Sequence, residues 1–291
     1  MAEERTSNLG DRPDENTLKE AVRARYADIA TKGAGRTGTG GEACSGTVDC
    51  CNPSAGIAAL SYTMVGESYA GMAGHVQEAD LGLGCGIPTR LAALSPGETV
   101  VDLGSGAGND AFIARAAVGE SGRVIGLDFT EEMVSRARAV AGGRGYRNVE
   151  FVQGDIESMP VATGTADIVI SNCVLNLVPD KRRAFAEMYR IIKPGGRFCV
   201  SDIVIEGELP EAVRSSLEAY AGCVAGAMER TKYLALLREA GFSGVEVAAE
   251  HRIDPPEEVL RASFDEKTVE AYHSSGAGVV SVTVRGRKPL A

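Results

Sequence analysis

The chain has 291 residues, with 30 Lys and Arg against 40 Asp and Glu, seven cysteines and three histidines. That length carries a soft expectation of about two domains, and the acidic balance offers no basic footprint for a nucleic-acid backbone. No apolar run approaches the roughly 20 residues of a membrane helix, and Met1-Ala2-Glu3-Glu4-Arg5 lacks a signal peptide's apolar core, so a cytoplasmic protein without membrane or nucleic-acid partners is expected.

Leu18, Val22, Tyr26 and Ile29 recur at helical spacing and predict an amphipathic helix over 14–31. Five glycines between Gly33 and Gly41 lose too much backbone freedom on ordering to hold regular structure, so a mobile segment is expected there. It leads to Cys44, Cys50 and Cys51, and then to a mixed region through His75 without a clear period. The landmark Leu81-Gly82-Leu83-Gly84-Cys85-Gly86-Ile87-Pro88-Thr89 precedes a short helix ending near Leu94.

From Pro96 the pattern turns regular. Strands are predicted at 99–103, 123–128, 149–153, 167–171 and 196–204, and helices at 108–118, 131–142 and 180–192, with Lys193-Pro194-Gly195-Gly196 stopping the last helix. Strands alternating with helices imply right-handed crossovers and an α/β, doubly wound, mostly parallel sheet. Further helices are predicted near 211–228 and 230–240, a strand near 244–249, and a β-rich run from Val279 to Val284. The chain thus divides into an N-terminal helix with a cysteine-bearing mobile segment (1–75), a Rossmann-like core (76–209), and a small C-terminal α+β extension (210–291) that completes the sheet and the substrate site.

Asp102-Leu103-Gly104-Ser105-Gly106-Ala107-Gly108 ends the first core strand in a glycine loop that lets backbone approach a ligand closely. Alone it is a weak signal, shared with dinucleotide enzymes. Asp128 ends the second strand about 20 residues on, where an acid accepts from ribose hydroxyls. Asp155 ends the third, where a carboxylate can accept an adenine amino group. With the Lys-Pro-Gly-Gly before the fifth strand, the set resembles the class I S-adenosylmethionine-dependent methyltransferases over about residues 96–205. The resemblance implies cofactor contacts from Asp102, Gly104, Ser105, Gly106, Asp128, Phe129, Met133, Asp155, Ile156 and Asn172. Nothing downstream resembles a hydride-transfer site.

The fourth strand runs into Cys173, and in an open parallel sheet this loop and the glycine loop face one cleft. The loop holds no Asn-Pro-Pro-Tyr-like sequence, and His75, His251 and His273 lie in no recognisable motif, so no general base is evident. Thiolates bind soft, thiophilic centres. Trivalent arsenic in a pyramid of thiolates keeps a lone pair that attacks a sulfonium methyl without loss of a proton.

Asn172-Cys173-Val174-Leu175-Asn176-Leu177-Val178-Pro179-Asp180-Lys181, Gly82 to Pro88, and Gly222-Cys223-Val224-Ala225-Gly226-Ala227 resemble the arsenite methyltransferase family, and the likeness spans most of residues 17–286. It implies that Cys173 and Cys223 bind arsenic and that Cys85 takes part in thiol exchange and serves as a further ligand. It also implies a disulfide between Cys85 and one of Cys44, Cys50 and Cys51, reduced by thioredoxin or glutathione after each methylation oxidises arsenic. The implied substrate is arsenite or its glutathione conjugate, the implied role is arsenic detoxification, and no catalytic metal is expected. Leu83 stands where relatives often place an aromatic residue. Two other readings stay open: a methyltransferase for an organic ring with inert cysteines, and a metalloid or redox sensor without transfer. Cys199, inside the apolar strand around Phe198 and Val200, reads as a small buried hydrophobe.

Overall fold

The computed structural model describes residues 15–32, 68–210, 226–253, 257, 260–261 and 264–290. Eight strands form one sheet. In chain order these are β1 (Thr99–Leu103), β2 (Arg123–Asp128), β3 (Val149–Gln153), β4 (Ala166–Asn172), β5 (Ile192–Glu206), β6 (Met228–Glu229), β7 (Ser243–Ile253) and β8 (Gly278–Arg287). The order across the sheet is β3-β2-β1-β4-β5-β8-β7, with β6 pairing off β5. The first five strands run parallel; β8 enters antiparallel between β5 and β7. The chain winds outward from β1 to β3 and then restarts at β4, so the carboxyl ends of β1 and β4 flank the switch in strand order. The doubly wound class read from the sequence is the observed one.

The strands form because they can be covered on both faces. Val100, Val101 and Leu103 of β1 and Ile168, Val169 and Ile170 of β4 are fully buried, as the strands of covered parallel sheets are. Val101, Leu103 and Val169 point to the layer holding α5 (Lys181–Ile191) and α6 (Arg230–Glu239), whereas Val100, Ile168 and Ile170 point to α3 (Asn109–Val118) and α4 (Glu131–Gly143). The short α2 (Pro88–Leu91) packs on the same side. No helix among the described residues is long and apolar enough to cross a membrane.

Strands β1, β2 and β3 occupy the residues that the sequence pattern predicts. Elsewhere the differences have local causes. β5 starts at Ile192, ahead of Lys193-Pro194-Gly195-Gly196, because the pairing with β4 jumps from Ile192 to Arg197 and those four residues bulge out of the ladder. The helix expected to reach residue 228 cannot do so, since Gly226 is in a turn and Met228–Glu229 pairs with β5; residues 211–225 lie outside the described residues. Helix α7 (Glu266–Ser275) was not anticipated, although Asp265 caps it by accepting from Thr268 N at 2.9 Å and Gly276 ends it at φ 63°. Helix α1 (Glu15–Lys32) lies where expected, but its apolar stripe does not enter the core as a unit. Ile29 is buried against α4, Val22 and Tyr26 are half-buried, and Leu18 is exposed.

Under α6, the Tyr233 hydroxyl donates to Asp202 Oδ2 at 3.0 Å, and Ile203 N donates to Oδ1 at 3.2 Å. Burial pushes the Asp202 carboxyl up to about 7, against the opposing pull of Tyr233 and the nearby Lys181 ammonium. A carboxyl raised in the folded state contributes stability that is full below its unfolded pKa of about 3.9 and is lost as pH rises toward about 7. Thermal melts from pH 4 to 7 should therefore show a shallower fall in Tm for Asp202→Asn than for the native chain; an unchanged slope would mean that this carboxyl titrates as an exposed one.

Candidate active site

A cavity with about 1120 Å3 of atom-free space, its open mouth included, lies at the carboxyl ends of β1, β2 and β4 and is roofed on one side by α1. All ten residues expected to touch the cofactor line it. Gly104 leaves β1 at φ 66°, and a Cβ there would overlap Val174; Gly104 N and Ser105 N both donate to Leu127 O, which folds the loop back over β2. Gly106, at φ 52°, faces open space, with Met133 Sδ the nearest atom to an added Cβ at 4.0 Å. Its N–H donates to Asp128 Oδ2 at 2.9 Å, and Thr130 N donates to Oδ1 at 2.9 Å, so Asp128 is oriented by backbone on both oxygens. Phe129 and Ile156 supply the apolar walls between these acids.

Three buried acids concentrate at the β1 end of the cavity. Burial raises the Asp102 carboxyl well above its ordinary range, and the charges of Asp110 and Asp128 raise it further. Burial likewise lifts Asp110 and Asp128 against the hydrogen bonds they accept. Asp102 Oδ2, Ser105 Oγ and Asn109 Oδ1 are buried beside the cavity with no protein partner among the described residues. Such atoms call for a ligand that brings donors and positive charge. The ammonium and sulfonium of S-adenosylmethionine meet that demand, and the open face of Gly106 lets its backbone approach.

Asp155 stands at the opposite end. Burial would raise its carboxyl, but the Lys19 ammonium at 2.7 Å, the Glu157 N–H and the charge of Arg183 together hold the group below the usual range. Lys19 also pairs with Glu157.

The loop after β4 meets the loop before α2 through one side chain. Asn172 Oδ1 accepts from Cys85 N at 3.0 Å, while Asn172 Nδ2 donates to Gly86 O at 2.8 Å and to Asp110 Oδ2 at 3.0 Å. Tyr69 donates to Asp110 Oδ2 at 2.9 Å and Thr89 to Asp110 Oδ1 at 3.3 Å. From below, the Ser281 hydroxyl of β8 donates to Cys85 O. Cys173, one residue past the clamp, has φ 58°, a left-handed conformation that costs a residue with a Cβ, and its N–H donates to Ser201 O at 2.8 Å. Cys173 lines the cavity. Cys85 and Cys173, both buried, share an apolar cluster with Ile203, Ile205, Leu209 and Ala227.

The structure thus brings Cys85 and Cys173 together beside the expected nucleotide cavity. Cys223, Cys44, Cys50 and Cys51, and the glycine-rich segment before the last three, lie outside the described residues. Tyr69, Asp110 and Thr89 were missed by sequence reading. Tyr69 sits in the region without a period, and Asp110 reads there as an ordinary acid in the first turn of a helix. Lys19 carried no signal, because its partner is 136 positions away.

A methyltransferase-domain family model matches residues 94–241. An arsenite methyltransferase of Halobacterium salinarum is 42% identical over 289 residues, which cover 99% of this chain and 71% of that protein. The chain belongs to the arsenite methyltransferase family. The human arsenite methyltransferase is 37% identical over 170 residues, covering 55% of this chain and 44% of that one. Among solved structures, an arsenic(III) S-adenosylmethionine methyltransferase from Chlamydomonas reinhardtii aligns at a TM-score of 0.61 and 35% identity, over 71% of this chain and 68% of that one. S-Adenosylmethionine is the cofactor of the family, and the charge and donor demand of the cavity fits it.

Because one amide joins the two cysteine loops, Asn172→Ala should loosen both. Removing it takes the Asn172 bond from buried Cys85 N, a loss of about 1–3 kcal/mol, and leaves Gly86 O with the longer bond it accepts from the Tyr69 hydroxyl at 3.2 Å. The expected outcome is a lowered Tm together with faster labelling of Cys85 and Cys173 by a thiol reagent, followed by peptide mass spectrometry; labelling at the native rate would mean that the clamp does not hold these loops.

Proposed function

We propose that the protein transfers methyl groups from S-adenosylmethionine to trivalent arsenic held by the thiolates of Cys85, Cys173 and Cys223. The observation that carries this reading is the meeting of three chain segments. Cys85 and Cys173 lie in one apolar cluster, and both ends of the segment bearing Cys223 join it, through Leu209 on one side and Ala227 on the other. Gly226 packs so closely on the turn after Cys173 that an added Cβ would overlap Asn176 O. Cys223 is three residues upstream of Gly226, within a chain reach of about 10 Å.

The cofactor, when bound, supplies an electrophilic methyl on sulfur. The buried acids Asp102 and Asp110 would hold its cationic end, and Asp128 and Asp155 would accept from its ribose and adenine. The thiols present arsenic from the apolar side, where Ile203, Ile205 and Ala227 exclude water. The arsenic lone pair is the nucleophile, so the site needs no residue to remove a proton. Each transfer oxidises arsenic by two electrons. A dithiol of Cys85 with one of Cys44, Cys50 and Cys51 returns them and closes to a disulfide, which thioredoxin or glutathione reopens by exchange. We place this chemistry in arsenic detoxification in the cytoplasm, with arsenite or its glutathione conjugate as substrate.

Incubation with labelled cofactor, glutathione and arsenite, followed by product speciation, should yield methylated arsenicals and S-adenosylhomocysteine. Cys173→Ser and Cys223→Ser should each abolish methylation while leaving the affinity for S-adenosylhomocysteine within about threefold of native. Full turnover in either variant would overturn the thiol-held arsenic, as would turnover insensitive to thiol alkylation.

A further inference from the structure

Helix α1 sends one cation into the cofactor cavity. Lys19 Nζ donates to Asp155 Oδ2 at 2.7 Å and pairs with Glu157. The two carboxylates differ in setting, since the Glu157 side chain is 6% exposed and that of Asp155 is 43% exposed. Glu157 is also fixed by Asp180 N, which donates to its Oε1 at 2.9 Å. Arg183 donates from Nε to Glu157 O at 2.8 Å and adds a weaker positive field. Glu157 N donates to Asp155 Oδ1 at 2.9 Å, so both oxygens of Asp155 are held and its plane is set.

An ionised carboxylate has about four lone-pair sites and no proton to give. Two of those on Asp155 are used by Lys19 and Glu157 N, and the group lines the cavity, so what remains is acceptor only. A ligand edge that donates is favoured there and an edge that accepts is repelled. Without Lys19, the Asp155 and Glu157 carboxylates would face each other with no ammonium between them, and Glu157 is buried. Rotation of Asp155 away from Glu157 then relieves the repulsion and turns its acceptor oxygens from the position that Lys19 and Glu157 N fix.

We propose that Lys19 is a positioning residue for the cofactor: by bridging Asp155 and Glu157 it holds the Asp155 carboxylate in plane at the cavity wall, which makes the cavity select a purine that bears an amino group at position 6 over one that bears a carbonyl. The proposal rests on the cofactor assignment of the cavity and is independent of arsenic. The rest of α1 is attached by other contacts. Arg23 lies 5.0 Å from the Phe129 ring centroid, and Arg136 Nη1 donates to Ala30 O at 3.0 Å. A Lys19 variant therefore keeps the wall formed by Val22 and Tyr26.

The test is calorimetric binding of S-adenosylhomocysteine and S-inosylhomocysteine, which differ at position 6, to the native chain and to Lys19→Met, Lys19→Arg and Asp155→Asn. The native chain should prefer the adenosyl ligand by about 30-fold or more, since a site built around a hydrogen bond rejects the analogue that cannot make it. In Lys19→Met the preference should fall below about threefold, and in Lys19→Arg it should return. Asp155→Asn, whose amide can serve either edge, should lose the preference with Lys19 still present. An equal loss of affinity for both ligands in Lys19→Met would make Lys19 only a piece of wall and overturn the proposal. A native preference retained in Asp155→Asn would also overturn it. Failure of the native chain to bind S-adenosylhomocysteine would instead overturn the cofactor assignment on which it stands.

Discussion

The site depends on the side-chain amide of Asn172. Its oxygen and nitrogen engage the backbone of Cys85 and Gly86 much as a neighbouring strand would, and this ties a loop that precedes the whole sheet to the end of β4. Asp110, buried under the same amide and fed by Tyr69 and Thr89, fixes which way the amide points, because a carboxylate must face the NH2 side. The flanking glycines follow from this. A Cβ on Gly84 would lie 2.7 Å from Asn172 Nδ2, and one on Gly86 would lie 2.7 Å from Ser201 Oγ. Glycines on both sides of Cys85 therefore let the thiol be carried this close to the clamp. The left-handed backbone of Cys173 completes the arrangement, with its strain borne by the Ser201 bond and the packed cluster around it.

Two chemically distinct ends meet at that clamp. On one side, carboxylates crowd beyond what their own hydrogen bonds offset, and each of Asp102, Asp110 and Asp128 is shifted toward its protonated form by burial. On the other, the thiols sit among aliphatic side chains and the buried rings of Tyr272 and Tyr233. The first environment favours a hydrated cation losing its water, and the second favours a soft, neutral centre. A cationic cofactor and a thiophilic substrate placed on either side of Asn172 would each occupy the surroundings that suit them, with the reacting groups adjacent.

The legible parts of the chain were those whose information is local. Strands β1 and β2 matched because a parallel strand covered on both faces shows itself as an apolar run, edge strand β3 matched through the alternation of buried Val149 and Phe151 with exposed Glu150 and Gln153, and the glycine loop and the acids at strand ends have fixed spacings along the chain. The Cys85, Cys173 and Cys223 blocks were visible as motifs, yet their geometry was not, since it is carried by pairs such as Asn172 with Cys85 and Ser281 with Cys85 that no periodicity encodes. Helix α1 shows a different failure. Its apolar spacing predicted a core face, whereas Val22 and Tyr26 line a cavity, and a cavity wall and a core face look alike in sequence. Helix α7 went unread because short polar helices rest on caps and neighbours more than on pattern.

Position along β5 sets the state of the Cys199 thiol. On β5, Cys199, Ser201, Ile203 and Ile205 alternate onto one face, across which the loop from Cys85 to Pro88 runs. Ile203 and Ile205 pack with Cys85 and Cys173, the Ser201 hydroxyl lies under Gly86, and the Cys199 thiol donates to Pro88 O at 3.3 Å. Cys199 therefore shares the face of the cysteine cluster but sits four residues, or about 13 Å, below Ile203. Burial there pushes its thiol up to about 12, a protonated state at neutral pH. Farther along the same face, Ile203 and Ile205 pack instead against the loops of Cys85 and Cys173, the second of which lines the cavity.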